Sequence, residues 1–260
     1  MAIIILSKRM SQITIYFLGF ISYITCYSQN NPVLKVSYDY TDSYYSLEEQ
    51  MTTKATLVAT PTKSIYTNYK KEFAPGTVSL NDNDQYTGVK LDAEIPLYKD
   101  FKSRNIYCYS NINYQKKSIL KDSLDLFEWV LIPGETKIIL NYMCQAATTN
   151  FRGRNYTVYF TYDVPFRDGP WKLNGLPGLI LEAVDQDNRT HYKAYELSIT
   201  NEDLSIENPF KGEKTSNWDE IIEKAKRIFQ TKKEFIENKY NGKITTDFSE
   251  NIEVYDLNKN

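Results

Sequence analysis

The alternation of apolar and polar residues predicts a series of short β-strands along most of the chain. In residues 155–162 (NYTVYFTY), Tyr156, Val158 and Phe160 share one face, while threonines and a tyrosine occupy the other. Strands separated by turns rather than by helices indicate an antiparallel sheet. Comparable patterns predict strands at residues 34–40, 55–59, 64–66, 106–109, 126–132, 137–144, 178–184 and 191–199.

Turn-forming residues mark the ends of several of these strands. Pro61 predicts a hairpin between residues 55–59 and the strand that follows, and Pro133-Gly134 predicts a tight turn after the fifth strand. Residues 70–92 contain Pro, Gly and an Asn-Asp-Asn-Asp run, with little apolar periodicity. We therefore expect a mobile loop at about 70–92.

The C-terminal part has a helical period instead. Ser216 and Asn217 are suited to cap a helix, and Asn241-Gly242 is suited to end it. The polar face balances Lys against Glu, which favours packing on the sheet over binding to a membrane surface. The predicted fold is α+β and mostly β: a curved antiparallel sheet, a meander or a half-barrel, with a C-terminal amphipathic helix packed on it. The apolar face comprises Trp218, Ile221, Ile222, Ala225, Ile228, Phe229, Phe235 and Ile236.

Residues 1–28 have the order of a secretory signal peptide. Lys8 and Arg9 form a basic region, an uncharged run follows, and a small residue precedes the expected cut before Gln29. The uncharged run is shorter than the roughly 20 residues that span a bilayer. An uncleaved membrane anchor and a lipoprotein acylated at Cys26 are the alternatives. Residues 29–260 are expected to form a single domain.

The charge balance argues against one class of partner. The chain has 31 basic and 33 acidic residues, and loss of the signal peptide removes two basic residues and no acid. A nucleic-acid binder needs a basic excess, so no nucleic-acid partner is expected. No second apolar stretch approaches transmembrane length, so no span is expected after signal removal. The 22 tyrosines favour β-structure.

Two cysteines, Cys108 and Cys144, follow the predicted cleavage site. In an oxidising compartment such a pair invites a disulfide, and two buried thiols are the alternative. The chain contains no CxxC pair and no Cys/His cluster. We therefore predict no metal site and no cofactor.

The most distinctive stretch is residues 168–182 (DGPWKLNGLPGLILE). Two Gly/Pro pairs make it a double turn that leads into a strand. The run at residues 179–181 is apolar throughout, as in a strand that is covered on both faces. Within the stretch lies one hexapeptide, composed of Gly175, Leu176, Pro177, Gly178, Leu179 and Ile180.

This hexapeptide is the one that names the GLPGLI family of Bacteroidetes proteins. Residues 144–147 (CQAA), 151–156 (FRGRNY) and 162–165 (YDVP) also resemble elements of that family. The resemblance extends over about residues 126–185. Because the family has no established molecular activity, the resemblance implies an exported protein and a single GLPGLI-type domain, but no particular reaction.

No catalytic arrangement stands out in the sequence. His191 is the only histidine, and no Gly-x-Ser-x-Gly segment offers it a nucleophile. The hexapeptide lacks the Lys-Ser/Thr pair of a phosphate loop. Asp185, Asp187 and Asn188 resemble a calcium loop only in composition. We therefore predict no catalytic, cofactor-binding or metal-binding residues.

Two arginines are candidates for contact with an anion or a partner. Arg152 and Arg154 flank a glycine, with Arg167 nearby, and guanidinium groups bind carboxylates in bidentate fashion. The alternative is that they fix a loop by pairing with Asp163, Asp168 or Glu182.

Three functional hypotheses follow for an exported envelope protein that is periplasmic, outer-membrane associated or secreted. The first is a non-catalytic carrier that holds an apolar ligand, such as a lipid, on the concave face of the sheet. The second is a structural or protein-interaction component of the envelope. The third is a hydrolase without a recognisable motif.

Overall fold

The computed structural model describes residues 31–42, 51–73, 90–110, 118–240 and Lys243. The predicted signal peptide and the predicted helix end at Asn241-Gly242 lie outside these residues. Within them the chain forms twelve strands and one long helix, α1 (Trp218–Tyr240). The strands are β1 (Pro32–Asp42), β2 (Met51–Ala59), β3 (Lys63–Phe73), β4 (Lys90–Asp100), β5 (Asn105–Ser110), β6 (Ser118–Ser123), β7 (Val130–Ile139), β8 (Tyr142–Phe151), β9 (Arg154–Thr161), β10 (Leu179–Asp185), β11 (Thr190–Asn201) and β12 (Thr215–Ser216).

The described strands form one sheet built from two meanders. Strands β1 to β6 follow one another in space, as do β7 to β11, and antiparallel pairing of β1 with β11 joins the two sets. Only the short β12 departs from this pattern among the described strands, because it pairs parallel to β6. The predicted fold class, a mostly β protein with an antiparallel sheet, is confirmed.

The sheet is strongly curved. Asp122 lies in β6, and Arg152 lies in the turn after β8, near opposite ends of the strand order. Their side chains nevertheless form an ion pair of 2.9 Å. A flat sheet would hold these strands several strand spacings of about 4.8 Å apart, so the sheet must bend for them to meet.

The main core lies on the face of the sheet that carries Tyr38, Leu57 and Tyr66, which we call the inner face. All three side chains are buried, and one cluster connects them with residues from most strands and from α1. A second, smaller cluster covers part of the sheet around β4 to β6. It consists of Tyr98, Ile119, Ile206 and Phe210.

Helix α1 begins as predicted. The Glu220 N–H donates to Asn217 Oδ1 at 2.9 Å, and the Asn217 N–H donates to Glu220 Oε2 at 3.3 Å, which is a capping box. Its first half buries Ile221 and Ala225, whereas Phe235 is 63% exposed. The predicted apolar face therefore packs on the sheet only over its first half. No helix in the described residues is long and apolar enough to cross a membrane.

The strands predicted at residues 126–132 and 137–144 have the wrong boundaries, since β7 begins at Val130 and the second predicted strand runs across the turn between β7 and β8. Pro133-Gly134 does not end a strand but forms an irregularity inside β7, which runs on to Ile139. The actual turn is Leu140-Asn141, where both residues have positive φ (50° and 68°), as a type I′ hairpin turn requires. A leucine rarely adopts this conformation, and the residues before it are apolar. The sequence pattern therefore gave no sign of a turn here.

Both ends of the loop predicted at 70–92 belong to strands. Residues 70–73 pair with residues 90–93 as the ends of β3 and β4. Residues 74–89 lie outside the described part of the chain. The paired ends are mixed in polarity and carry no two-residue apolar period, so the pattern could not reveal them as strands.

Candidate functional site

The distinctive sequence stretch lies mainly in the connection between β9 and β10. We call residues 162–178 the motif loop. Its apolar side chains Val164, Leu173 and Leu176 are at most 2% exposed and belong to the main core. The loop therefore packs against the inner face of the sheet, where the concave surface of a curved sheet would otherwise lie open.

Each of the two glycines of the hexapeptide is required for a different structural reason. Gly175 has φ +97°, a conformation that side chains other than glycine rarely adopt. At Gly178 the limit is space, since a Cβ atom there would stand 1.9 Å from the carbonyl oxygen of Thr161. Gly178 thus allows the end of the motif loop to lie directly on the backbone of β9. The run at residues 179–181 is fully buried, as predicted.

A buried ion pair ties the motif loop to the other half of the sheet. Lys99 in β4 donates to Asp168 Oδ1 at 2.5 Å, and the two side chains are 0% and 1% exposed. The same ammonium group donates to the carbonyl oxygens of Gly169 (2.9 Å) and Leu173 (3.2 Å). All three donor hydrogens of the lysine thus have an acceptor in the loop. Burial lowers the pKa of Lys99, and the charge of Asp168 opposes that shift.

A second buried cluster joins the motif loop to β6 and to α1. Asp122 accepts from Arg152 at 2.9 Å and from Lys172 at 3.3 Å. The guanidinium of Arg152 lies 3.4 Å from the centre of the Trp218 ring, and Lys172 lies 5.5 Å from that of Trp171. Cations stacked on aromatic faces gain an electrostatic attraction in addition to the ion pair.

Both candidate arginines therefore form ion pairs within the protein. Arg152 contacts Asp122, and Arg154 contacts Asp185 at 3.3 Å. The sequence had suggested other carboxylates as partners. Arg167 donates to the carbonyl oxygen of Gly175 at 2.8 Å, which braces the hexapeptide. In the turn that resembles a calcium loop only in composition, Asp185 is buried and accepts the backbone N–H groups of residues 189 and 190.

The only histidine takes part in a third ionic cluster. Glu182 is 8% exposed and contacts Lys137 at 2.5 Å and His191 at 3.0 Å. Burial by itself would raise the pKa of Glu182, but the hydrogen bonds from His191 and Lys137 outweigh it and lower the pKa to about 2. Glu182 is thus held as a carboxylate, whereas a general acid requires a raised pKa.

The two cysteines are buried thiols, and no disulfide joins them. Cys108 lies in β5 and Cys144 in β8, with seven strands between them in the sheet order. Burial raises the pKa of Cys144 to about 11, which leaves the thiol protonated and unreactive. Of the two alternatives that the sequence left open, the structure has the pair of buried thiols.

Sequence reasoning missed the residues that hold the motif loop, namely Lys99, Asp122 and Lys172. Each is charged and at most 8% exposed. Strand alternation places Lys99 on the same face as Leu97, so an inward-pointing lysine was the one signal available. Its partner lies 69 residues away. Nothing local in the sequence connects the two.

One known family matches a large part of this chain. The match covers residues 77–224, more than half of the 260 residues, and includes the whole motif loop. The family is described as N-glycanase peptide, N-terminal domain. The chain belongs to this family. No curated protein matches it.

The similarity to solved structures is weak. Two crystal forms of PNGF-II, in space groups C2 and P21, each align with a TM-score of 0.48 and 16% identity over 75% of this chain. The chain spans about a third of their length, 33% and 34%. A complex of Pseudomonas aeruginosa MucA and MucB aligns with a TM-score of 0.34 and 6% identity, over 65% of this chain and 52% of that one.

The close approach at Gly178 predicts a large cost for a single methyl group. Gly178→Ala should destabilise the protein by about 3 kcal/mol or more, because the loop or β9 must move to relieve the clash. Gly134→Ala is the matched control: it has φ +78° but no atom within 4 Å of the new Cβ, so only the backbone cost of about 1 kcal/mol applies. Urea unfolding measures both. Equal costs would contradict the close packing of Gly178 on β9.

The buried ion pair predicts an asymmetric response to mutation. Lys99→Met leaves the Asp168 charge buried without its cation and should cost about 3–5 kcal/mol. The double variant Lys99→Met/Asp168→Leu removes both charges and should regain much of that loss. Lys54→Met, in the exposed pair of Lys54 with Asp39, should change stability little. A double variant that is less stable than Lys99→Met would contradict this account.

The Glu182 cluster predicts a specific pH dependence. The pKa of Glu182 in the folded protein is depressed from 4.5 to about 2. The stabilisation that Glu182 contributes is therefore fully present above pH 4.5 and is lost as the pH falls through about 2. Near neutral pH the native protein should be more stable than Glu182→Gln, and the difference should shrink across that window. Urea unfolding of both proteins over this pH range measures it. A difference that is constant with pH would contradict the assignment.

Proposed function

We propose that this chain is an exported, non-catalytic domain that docks against a catalytic domain of the N-glycanase type. The description of its family supports this proposal, because it names an N-terminal domain of an N-glycanase peptide. Such a catalytic domain belongs either to the same polypeptide or to another one.

The filled inner face favours a protein-interaction role over a lipid carrier. A carrier needs an open apolar surface, and a curved sheet offers one on its concave side. Here the motif loop occupies that side with Val164, Leu173 and Leu176, all buried. A ligand of lipid size would have to displace the loop together with the Lys99–Asp168 ion pair.

The observation that carries the proposal is apolar surface exposed on β7 and β8. Ile138 and Met143 are 67% and 57% exposed and stand opposite each other in register. We call these two residues the edge patch. Val130 and Leu131 are also exposed, but they lie at the other end of β7. Within the described residues β7 pairs on one side only. Exposed apolar patches typically mark interaction sites.

The sequence of β7 indicates how a partner would bind. Pro133 has no N–H to donate, and the irregularity between Leu131 and Thr136 breaks the strand geometry. Both features block the addition of a further strand. We therefore expect the partner to contact the side chains of the edge patch rather than to extend the sheet.

The pairing of the buried acids supports a non-catalytic role. Four carboxylates are buried in the described residues, and each has a basic partner: Asp122, Asp168, Glu182 and Asp185. A carboxylate that is buried in an ion pair is not within hydrogen-bond reach of a substrate, as a general acid or base must be. We accordingly expect the purified chain to release no glycan by itself.

Export and the GLPGLI resemblance are part of the same proposal. The signal-peptide pattern of residues 1–28 supports export to the periplasm, the outer membrane or the medium. The hexapeptide and its flanking elements support a place among the GLPGLI proteins of Bacteroidetes. A mature N-terminus at Gln29, measured by mass spectrometry, is the expected result, whereas an acylated Cys26 would replace soluble export by lipid anchoring.

Site-specific crosslinking tests the docking proposal. A photoreactive amino acid at position 143, in the edge patch, should yield a covalent adduct with an N-glycanase-type protein in the cells that make the protein natively. Position 235 is the matched control, because Phe235 is similarly exposed, at 63% against 57% for Met143, but lies on α1 rather than on β7 or β8. Ile138→Lys should abolish the adduct from position 143, since a buried charge in an apolar contact is unfavourable.

The identity of the adduct decides between the hypotheses. An N-glycanase-type partner captured from position 143 and not from position 235 supports the proposal. A lipid adduct would favour the carrier. A partner of another class, equal capture from both positions, or no adduct would overturn the proposal.

A further inference from the structure

The second half of β11 has an open edge in the middle of the sheet. Strand β11 pairs with β1 from Thr190 to Asn201, but it pairs with β10 only through residues 191–193. Along residues 194–201 the side of β11 that faces away from β1 has no strand partner in the described part of the chain. An open strand edge presents backbone N–H and C=O groups with which another strand can pair.

The path of the motif loop explains why β10 leaves β11. At the start of β10 the Ile180 N–H donates to the carbonyl oxygen of Asp168 at 2.9 Å, and the Ile180 carbonyl oxygen accepts from the Tyr38 hydroxyl at 2.8 Å. Groups outside β11 thus engage both backbone polar groups of Ile180. Strand β11 therefore continues beside β1 alone.

The side chains along this edge are exposed on both faces of the strand. Tyr195 is 42% exposed and Ile199 is 45% exposed, and Ser198 and Thr200 are exposed as well. Successive side chains of a strand point to opposite faces. Exposure of consecutive residues therefore shows that the segment projects beyond the core and that its edge is accessible.

This edge lacks the features that protect the two outer edges of the sheet. At one outer edge β12 is only two residues long, and at the other β7 carries Pro133 and an irregularity. Short strands, prolines, bulges and charges all discourage pairing with another chain. Residues 197–201 (LSITN) contain neither proline nor charge, and β-branched side chains such as Ile199 and Thr200 favour strands. We therefore expect this segment to accept a strand.

The two faces of the segment indicate what kind of strand fits. Leu197 and Ile199 stand opposite buried residues of β1 and so lie on the inner face. Ser198 and Thr200 alternate with them and face outward. A fitting strand has apolar residues on one face and small polar residues on the other. The segment itself has this pattern, so it is complementary to a second copy of itself.

We propose that two copies of this chain pair antiparallel through β11, about a two-fold axis at Ser198. In this register Leu197 stands opposite the partner's Ile199 on the inner face, and the pair occurs twice. Glu196 stands opposite the partner's Thr200, so no like charges face each other. The same segment serves on both copies, as a two-fold interface requires. The contact does not involve β7 or β8 and is independent of the proposed docking function.

A charge swap at the two-fold axis tests this register. Sedimentation equilibrium of the purified chain should show a dimer at high micromolar concentration. Ser198→Lys sets two lysines opposite each other and should raise the dimer dissociation constant by about tenfold or more, because like charges in contact repel. Ser198→Glu should do the same. An equimolar mixture of the two variants should form a heterodimer, since opposite charges then meet.

The matched control is Ser103→Lys, which adds the same charge at an exposed serine in the turn between β4 and β5. It should dimerise like the native chain. A native chain that stays monomeric at high micromolar concentration would overturn the proposal, and so would a Ser198→Lys variant that dimerises as tightly as the native chain. A mixture of the two Ser198 variants that stays monomeric would overturn it as well. A native monomer that instead pairs with an extended segment of another protein would assign the edge to that protein and overturn the pairing of two copies.

Discussion

The Lys99–Asp168 ion pair joins two parts of the molecule that the sheet keeps apart. Lys99 lies in β4, and Asp168 lies in the loop that leads to β10, with four strands between β4 and β10 in the sheet order. An isolated charge at 0% exposure would be very costly, so each of these two side chains is tolerated only because the other is present. The pair therefore constrains the curvature of the sheet and the position of the motif loop together.

The glycines of the hexapeptide follow from this constraint. For Asp168 to reach Lys99, the loop must turn inward after β9 and return along the backbone of that strand. Gly178 permits the return, because only hydrogen fits against Thr161. Gly175 supplies the left-handed turn before it. The hexapeptide is thus a folding element. Because the motif loop fills the concave face, our proposal places the partner on the edge patch and not on that face.

Local patterns predicted the local features, and distant contacts could not be predicted. The alternation in residues 155–162 and the cap at Asn217 depend on neighbours within a few residues, and both are confirmed. Ion pairs such as Lys99 with Asp168 depend on how the sheet curves, which no local pattern contains. The turn at Leu140-Asn141 was missed because tertiary packing holds a leucine in a conformation that its propensity disfavours.

Native-state hydrogen exchange tests the central claim, that the motif loop is part of the core. The N–H groups of Gly175, Leu179 and Ile180 donate to carbonyl oxygens of the loop itself. If the loop is fixed as described, these amides should exchange as slowly as that of Val36 in β1, at rates set by global unfolding. Exchange at rates typical of an exposed loop, with β1 still protected, would contradict the account.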